Sequence, residues 1–198
     1  MAKLGKARVP TDQERKRLGT ISRSGRHGNR NHAVVVCSYR LGLRAKELAA
    51  LHVNSVIDEM GRLHDQCELT AKMTKGSKPR TVYLTNSVVR AAMLEYLKER
   101  REEQGILFNL DAPLFLSQKG GAFSPNTMQQ LLHRLHDHAG IPGGRSHSGR
   151  RWFATELISK GVDIKAVSVL MGHSSVSMTA EYAEDNPQRL RRIAAELV

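Results

Sequence analysis

The sequence predicts a mainly α-helical domain that contains one small antiparallel β-sheet, an α+β fold. Apolar residues recur at helical spacing in several segments, and residues typical of helix caps flank those segments. Two short strand-like runs are joined by a turn that contains glycine. Strands and helices do not alternate as they do in a parallel sheet, and the sequence has no glycine-rich phosphate loop. At 198 residues and 40% hydrophobic composition, the chain is long enough to bury one core.

The first half of the chain divides into a polar segment, two helices and a hairpin. Residues 1–31 are polar, and they end in the glycine-rich basic loop SRSGRHGNRN. Apolar residues at helical spacing predict one continuous helix over 32–51, despite Gly42. The runs QCELTAKM and RTVYLT predict two strands joined by the turn TKGSKP. An amphipathic helix follows over 87–104.

The second half of the chain predicts five helices from their start and stop signals. Serine, aspartate and asparagine side chains can accept hydrogen bonds from the first backbone N–H groups of a helix, and glycine is common just past its end. The predicted caps are Ser124 with Pro125 in the first turn, Asp163, Ser175 and Asn186, and the predicted stops are Gly140, Gly161 and Gly172.

The charge balance predicts a polyanionic partner. Lys and Arg number 31 against 19 Asp and Glu, a formal net charge of +12, which is typical of proteins that bind nucleic acid. The two cysteines are too few for a disulfide framework and favour a reducing compartment. The N-terminus lacks the apolar region of a signal peptide, and no apolar run reaches the ~18 residues of a membrane span. We expect a cytoplasmic protein without a membrane partner.

Several cationic or imidazole side chains stand at turns and helix starts where burial is not required. They are Arg44, Lys75, His147, Arg150 and His173. Guanidinium groups match the oxygens of a phosphodiester, and lysine or histidine can protonate a departing alkoxide. Tyr182 follows His173 by nine residues, among small residues that predict little packing around its ring. Since tyrosine can form a covalent intermediate, the set suits phosphoryl transfer.

Four segments, in order, resemble the signature boxes of the tyrosine recombinases, the phage integrase family. They read LGLRAKELAAL, TKGSKPRTVYL, HSGRRWFATEL, and LMGHSS followed by EYAE, and they extend from about residue 31 to 190. The resemblance implies the tyrosine-recombinase catalytic-domain fold. It also implies site-specific cleavage and rejoining of duplex DNA through a 3′-phosphotyrosyl intermediate, with no metal and no other cofactor.

The resemblance also implies the roles of the residues in the first two boxes. Arg44 matches the first catalytic arginine, and Glu47 matches the acidic residue that holds the site together. Lys75 matches the lysine of the hairpin, which acts as general acid toward the 5′-oxygen. Lys78 and Arg80 are rivals to Lys75, because any lysine of a hairpin can be merely solvated.

The last two boxes supply the remaining roles. His147 and Arg150 match the pair H-x-x-R, in which the arginine binds the scissile phosphate and the histidine assists. His173 matches the second histidine, and Tyr182 matches the nucleophile. The third box departs from the common pattern H-x-L-R-H-T at Gly149 and Arg151, which predicts different local packing.

The resemblance also bears on domains and partners. We expect a basic segment over 1–30 and a catalytic domain over 31–198 that includes the C-terminal helix, without the core-binding domain that precedes it in most relatives. Fimbrial-type DNA invertases and short phage integrases are similar in this respect. DNA affinity is then expected to depend on the basic loop around Arg23, Arg26 and Arg30. The implied assembly is a tetramer on two paired sites, with DNA-bending accessory proteins as further partners.

Four alternatives stay open. The closing helix QRLRRIAAEL either docks on a neighbouring protomer or lies on the surface. His133, His136 and His138 favour a polar helix face over a metal site, since no carboxylate or cysteine completes a ligand set. A DNA-binding regulator that has lost catalysis is a rival function, although Arg44, Arg150 and Tyr182 are all present. A type IB topoisomerase is a second rival.

Overall fold

The computed structural model describes residues 7–74, 79–184, 191 and 194–195, and it confirms the α+β prediction. The helices are α1 Asp12–Ser22, α2 Gly28–Arg40, α3 Ala45–Ala50, α4 Ser87–Gln104, α5 Pro125–His138, α6 Ser148–Ser159, α7 Ile164–Met171 and α8 Ser177–Glu184. The strands are β1 Gln66–Leu69 and β2 Arg80–Tyr83, which pair antiparallel. None of the helices in the described residues is long and apolar enough to cross a membrane.

Helix α1 lies in the N-terminal segment for which no helix was predicted. Thr11 and Glu14 form a capping box, in which each side chain accepts a hydrogen bond from the other residue's backbone N–H. Leu18 is buried in the core, where α1 packs against α2 and α5. The pattern T-x-x-E was visible in the sequence and is the signal that could have located this helix.

The helix predicted over 32–51 is wrong in one respect, because the chain leaves helical geometry between α2 and α3. Gly42 has a left-handed backbone with φ of +61°, which glycine adopts at little cost. A Cβ atom at Gly42 would lie 2.6 Å from Cδ1 of Phe153. Arg44 is extended and begins α3, so the break turns its side chain out of the helical register.

The two-stranded sheet covers one side of the helical core. Its register pairs Cys67 with Val82 and Leu69 with Arg80, and these four side chains are buried. Because side chains alternate between the two faces of a strand, Arg80 shares the inner face with Val82. The predicted turn between the strands includes residues 75–78, which lie outside the described residues.

The predicted caps explain the helices of the second half. The Ser124 hydroxyl accepts from the backbone N–H of Thr127, and the Asp163 carboxylate accepts from the first turn of α7. The Ser175 hydroxyl accepts from the N–H of Ser177 at the start of α8. Gly172 ends α7 with φ of +58°, as predicted. The predicted cap Asn186 lies outside the described residues.

Buried apolar side chains form a main core around α2 and a smaller second cluster. Helix α6 belongs to both, because Trp152 lies in the main core and Ile158 in the second cluster. Helices α2 and α6 approach closely at Gly149, where a Cβ atom would lie 2.5 Å from the Ser38 hydroxyl oxygen. The unusual glycine of the third box therefore allows this approach. The second cluster packs Ala154, Ile158, Val167 and Met171 together and carries α8.

Candidate active site

Arg44 and Glu47 form a closed unit at the start of α3. The Arg44 backbone N–H donates to Glu47 Oε2 over 2.8 Å, and its guanidinium donates to Oε1 over 2.7 Å. Glu47 is fully buried, whereas the Arg44 side chain keeps 16% of its surface exposed. The Glu47 carboxylate therefore holds the Arg44 guanidinium from its buried side, and part of the guanidinium remains exposed to solvent.

Arg80, named above as a rival to Lys75, is a second partner of Glu47 and is buried. Its guanidinium donates to Glu47 Oε2 over 2.8 Å and to the carbonyl of Leu170 over 2.6 Å. Burial alone raises the pKa of Glu47, but the charges and hydrogen bonds of Arg80 and Arg44 outweigh it, so the pKa is lowered. Arg80 thereby joins β2 to α3 and α7.

Arg150 joins three segments of the chain from the first turn of α6. It is 3% exposed and donates to the carbonyl of Gly42 over 2.7 Å and to the carbonyl of Met171. Burial lowers its pKa to about 9, and the charges of Arg44 and Arg80 act in the same direction. The group stays cationic at neutral pH. Three of the five N–H donors of a guanidinium are left for further partners after two carbonyls are bound.

His173 follows the end of α7 and faces the same cluster. Its Nδ1 lies 2.7 Å from the Thr179 hydroxyl, and its ring stacks on Tyr182 with 6.0 Å between centroids. Burial lowers the pKa of His173 to about 4, and the nearby charges of Arg150, Arg44 and Arg80 add to the effect. The imidazole is therefore neutral at physiological pH.

Tyr182 is half-buried on α8, and this corrects the expectation of little packing around its ring. It packs against the second cluster, stacks on His173 and lies under the Arg151 guanidinium, 5.5 Å from the ring centroid. The Tyr182 hydroxyl lies close enough to Arg150 to favour the charged form of that guanidinium and so to raise its pKa slightly against the larger effect of burial. The side chains that pack around Tyr182 were not predicted, because most of them lie on α6 and α7 rather than beside Tyr182 in the sequence.

The net positive charge of the assembled cluster favours the binding of an anion. Arg44, Arg80 and Arg150 supply three cations, and the buried carboxylate of Glu47 balances one of them. An anion bound beside these groups offsets their mutual repulsion and can accept paired hydrogen bonds from guanidinium forks. The arrangement suits a phosphodiester.

Comparison with known proteins decides the family. The model of the phage integrase family matches residues 8–189. The chain belongs to the phage integrase family. Its relatives include the tyrosine recombinase XerC of Pelobacter propionicus, 30% identical over 183 residues that cover 92% of this chain and 56% of the relative. The tyrosine recombinase XerD of Mycobacterium leprae is 33% identical over 84% of this chain and 51% of the relative. The chain thus spans about half the length of these relatives.

Solved structures agree with the phage integrase assignment. The crystal structure of XerA recombinase superposes with a TM-score of 0.76 at 26% identity, over 95% of this chain and 64% of that one. XerH recombinase bound to palindromic difH, in a post-cleavage complex, gives 0.71 at 24% identity, over 98% of this chain and 53% of that one. The fold is therefore that of a tyrosine-recombinase catalytic domain.

Of the site residues that the resemblance implied, Arg44, Arg150, His173 and Tyr182 surround one cluster. His147 is exposed at the start of α6, with its Nδ1 3.3 Å from the Ser146 hydroxyl. Lys75 and its rival Lys78 lie outside the described residues. Sequence reasoning missed the buried position of Arg80, which the alternation of β2 could have signalled, and the contact of Thr179.

Two further expectations concern residues away from the cluster. Arg30 is largely buried in α2, where its guanidinium donates to the carbonyl of Leu116 over 2.8 Å. His136 is buried rather than on a polar face, because its Nε2 pairs with the Tyr39 hydroxyl over 2.8 Å.

Proposed function

We propose that this chain cleaves and rejoins duplex DNA at specific sites through a covalent 3′-phosphotyrosyl bond at Tyr182. The observation that carries the proposal is the meeting of Arg44, Arg150, His173 and Tyr182, from four separate segments, around one cationic cluster. A packing role for any one of these residues would not require the other three. Family membership and the relatives' names support the same activity.

The proposed reaction exchanges one ester for another. The Tyr182 phenol loses its proton as its oxygen attacks the phosphorus, the bond from phosphorus to the 5′-oxygen breaks, and the departing 5′-oxygen takes up a proton, so that one proton is released and one is bound. Arg44 and Arg150 stabilise the charge on the non-bridging oxygens. Lys75 is proposed as the proton donor, and His147 as an assisting group. Attack by a 5′-hydroxyl on the phosphotyrosine restores the backbone, so no energy source is required.

A second feature supports DNA as the partner. A groove of about 890 Å3 lies between the Ser24–Asn31 segment, the turn around Lys119 and α5. Arg26, His27, Lys119 and Arg134 line it, and none of its lining residues within the described chain is acidic. Such a groove can track a phosphate backbone. Arg23, by contrast, is paired with Glu95 over 2.8 Å.

The groove predicts how binding depends on salt. Arg26→Ala and Arg134→Ala should each weaken duplex binding and reduce the slope of log K against log salt by about one. Fluorescence anisotropy with a labelled duplex between low and high salt measures that slope. Arg62→Ala is the matched control, because Arg62 is an exposed arginine paired with Asp58. An unchanged slope in both groove variants would contradict the assignment.

The function itself is tested with nicked duplexes tiled across the DNA on either side of the gene. After cleavage near a nick the short 5′-hydroxyl fragment diffuses away, so the covalent complex persists in SDS. We expect such a complex on a subset of duplexes, with the nucleotide mapped to Tyr182 by mass spectrometry. Relaxation of a plasmid that lacks those duplexes would instead indicate a topoisomerase. Sites in paired repeats would fit the proposed tetramer and accessory DNA-bending proteins.

A further inference from the structure

Thr179 is a buried residue that belongs to neither the sequence boxes nor the proposed catalytic set. It lies on α8, three residues before Tyr182, and is 0% exposed. Its hydroxyl oxygen is 2.7 Å from Nδ1 of His173. One helix therefore carries both Tyr182 and a side chain that contacts the neighbouring histidine.

The direction of this hydrogen bond follows from burial. A buried hydroxyl whose proton has no acceptor destabilises the fold, so such protons are almost always directed to an acceptor. Within the described chain, His173 Nδ1 is the hydrogen-bond partner of the Thr179 hydroxyl. We therefore expect the hydroxyl proton to point to Nδ1, which then accepts it with a lone pair.

The consequence lies at the other ring nitrogen. A neutral imidazole carries one proton, so a histidine that accepts at Nδ1 is protonated at Nε2. His173 is held neutral by its burial among Arg150, Arg44 and Arg80. A neutral ring can still donate to an anion if its outward nitrogen bears the proton, whereas the opposite tautomer would present a lone pair to that anion.

We propose that Thr179 is a positioning residue that fixes the Nε2-protonated tautomer of His173, so that His173 donates a hydrogen bond to the scissile phosphate. This inference rests on the proposed function for the identity of the anion. Thr179 also joins α8 to His173, so the same contact places Tyr182 and the donor on one phosphate. Neither effect requires Thr179 to touch DNA.

The tautomer is measured on the full chain without DNA. Long-range 1H–15N spectra of 15N-histidine-labelled protein distinguish a protonated from an unprotonated ring nitrogen, and His173→Gln assigns the signals. We expect Nδ1 unprotonated and Nε2 protonated in the unaltered chain, with that preference lost in Thr179→Val and kept in Thr179→Ser. Protonation at Nδ1 in the unaltered chain would overturn the proposal.

Cleavage supplies the second measurement. Thr179→Val keeps the shape of the side chain and should slow formation of the covalent complex about tenfold, because the His173 Nε2–H would no longer be held toward the phosphate. The Kd for the duplex should not change. Thr179→Ser should restore most of the rate. Thr20→Val, on the exposed side of α1, is the control for the effect of replacing a threonine by valine. Equal rates for Thr179→Val and the unaltered chain would overturn the proposal.

The two measurements separate the two levels of inference. If the unaltered chain forms no covalent complex on any duplex, the proposed function is rejected, and the spectra still accept or reject the tautomer. A lower melting temperature of Thr179→Val with an unchanged His173 tautomer would show a purely structural residue and would reject the proposal.

Discussion

Replacing Tyr182 with phenylalanine is expected to abolish the covalent protein–DNA complex while leaving duplex binding unchanged. The substitution removes one oxygen atom, the proposed nucleophile, and keeps the ring that stacks on His173 and packs on the second cluster. The free energy of unfolding should therefore change by no more than about 0.5 kcal/mol. The complex is measured by SDS gel on a nicked duplex, and binding by anisotropy on the same duplex.

The chain offers a demanding control for this substitution. Of its four tyrosines, all within the described residues, Tyr39 and Tyr96 are buried, and burial raises the pKa of both phenols. Tyr83 is 53% exposed and lines a groove of about 280 Å3 together with His173. Tyr83→Phe should keep the covalent complex at full yield. Loss of the complex in Tyr83→Phe, with retention in Tyr182→Phe, would place the nucleophile on β2 and contradict its assignment to α8.

Glu47→Gln is expected to have the second largest effect, on folding and on cleavage together. The amide keeps the size of the side chain but leaves Arg44 and Arg80 without their buried counter-charge. Removing one partner of a buried ion pair costs about 3–5 kcal/mol, so denaturant unfolding should show a loss of that order. Cleavage should fall by roughly 100-fold beyond any unfolded fraction, because Arg44 loses its fixed position.

The control for Glu47 is Glu68→Gln on the exposed face of β1, which should change neither measurement. The pH dependence gives an independent check. Since the pKa of Glu47 is lowered on folding, its stabilising contribution is present above the ordinary value of 4.5 and is lost as pH falls through the folded value. The difference in stability between the unaltered chain and Glu47→Gln should therefore shrink below about pH 4.5. A difference that grows with acid would contradict the ion-pair assignment.

Much of the fold could be predicted from local sequence signals. The amphipathic helix α4 has the predicted bounds 87–104, and the stop at Gly172 is where glycine indicated it. The break at Gly42 was not predictable in this way, because the side chain that lies against Gly42 belongs to Phe153, more than a hundred residues away. A helical pattern on both sides of a glycine does not tell whether that glycine is helical.

Only those residues of the site that lie in the sequence motifs could be predicted. The resemblance assigned Arg44, Arg150, His173 and Tyr182, and these residues meet in the structure. It did not show that Glu47 binds a second arginine, since the partner lies on another element. The resemblance also did not indicate a role for Thr179. A threonine in a short helix is ordinary in the sequence, and its proposed role depends on its contact with the His173 ring.

The second hydrophobic cluster gives α8, the helix that carries the proposed nucleophile Tyr182, a local stability that is separate from that of the main core. Helix α8 packs on α6 and α7 through this small cluster, whereas Arg44 and Glu47 belong to segments held by the main core. Elements with few buried contacts open at a lower free energy than the whole molecule. Local opening of α8 would withdraw Tyr182 and leave Arg44, Arg80 and Arg150 in place. In the proposed reaction, such a motion would stop cleavage while the rest of the domain stays folded.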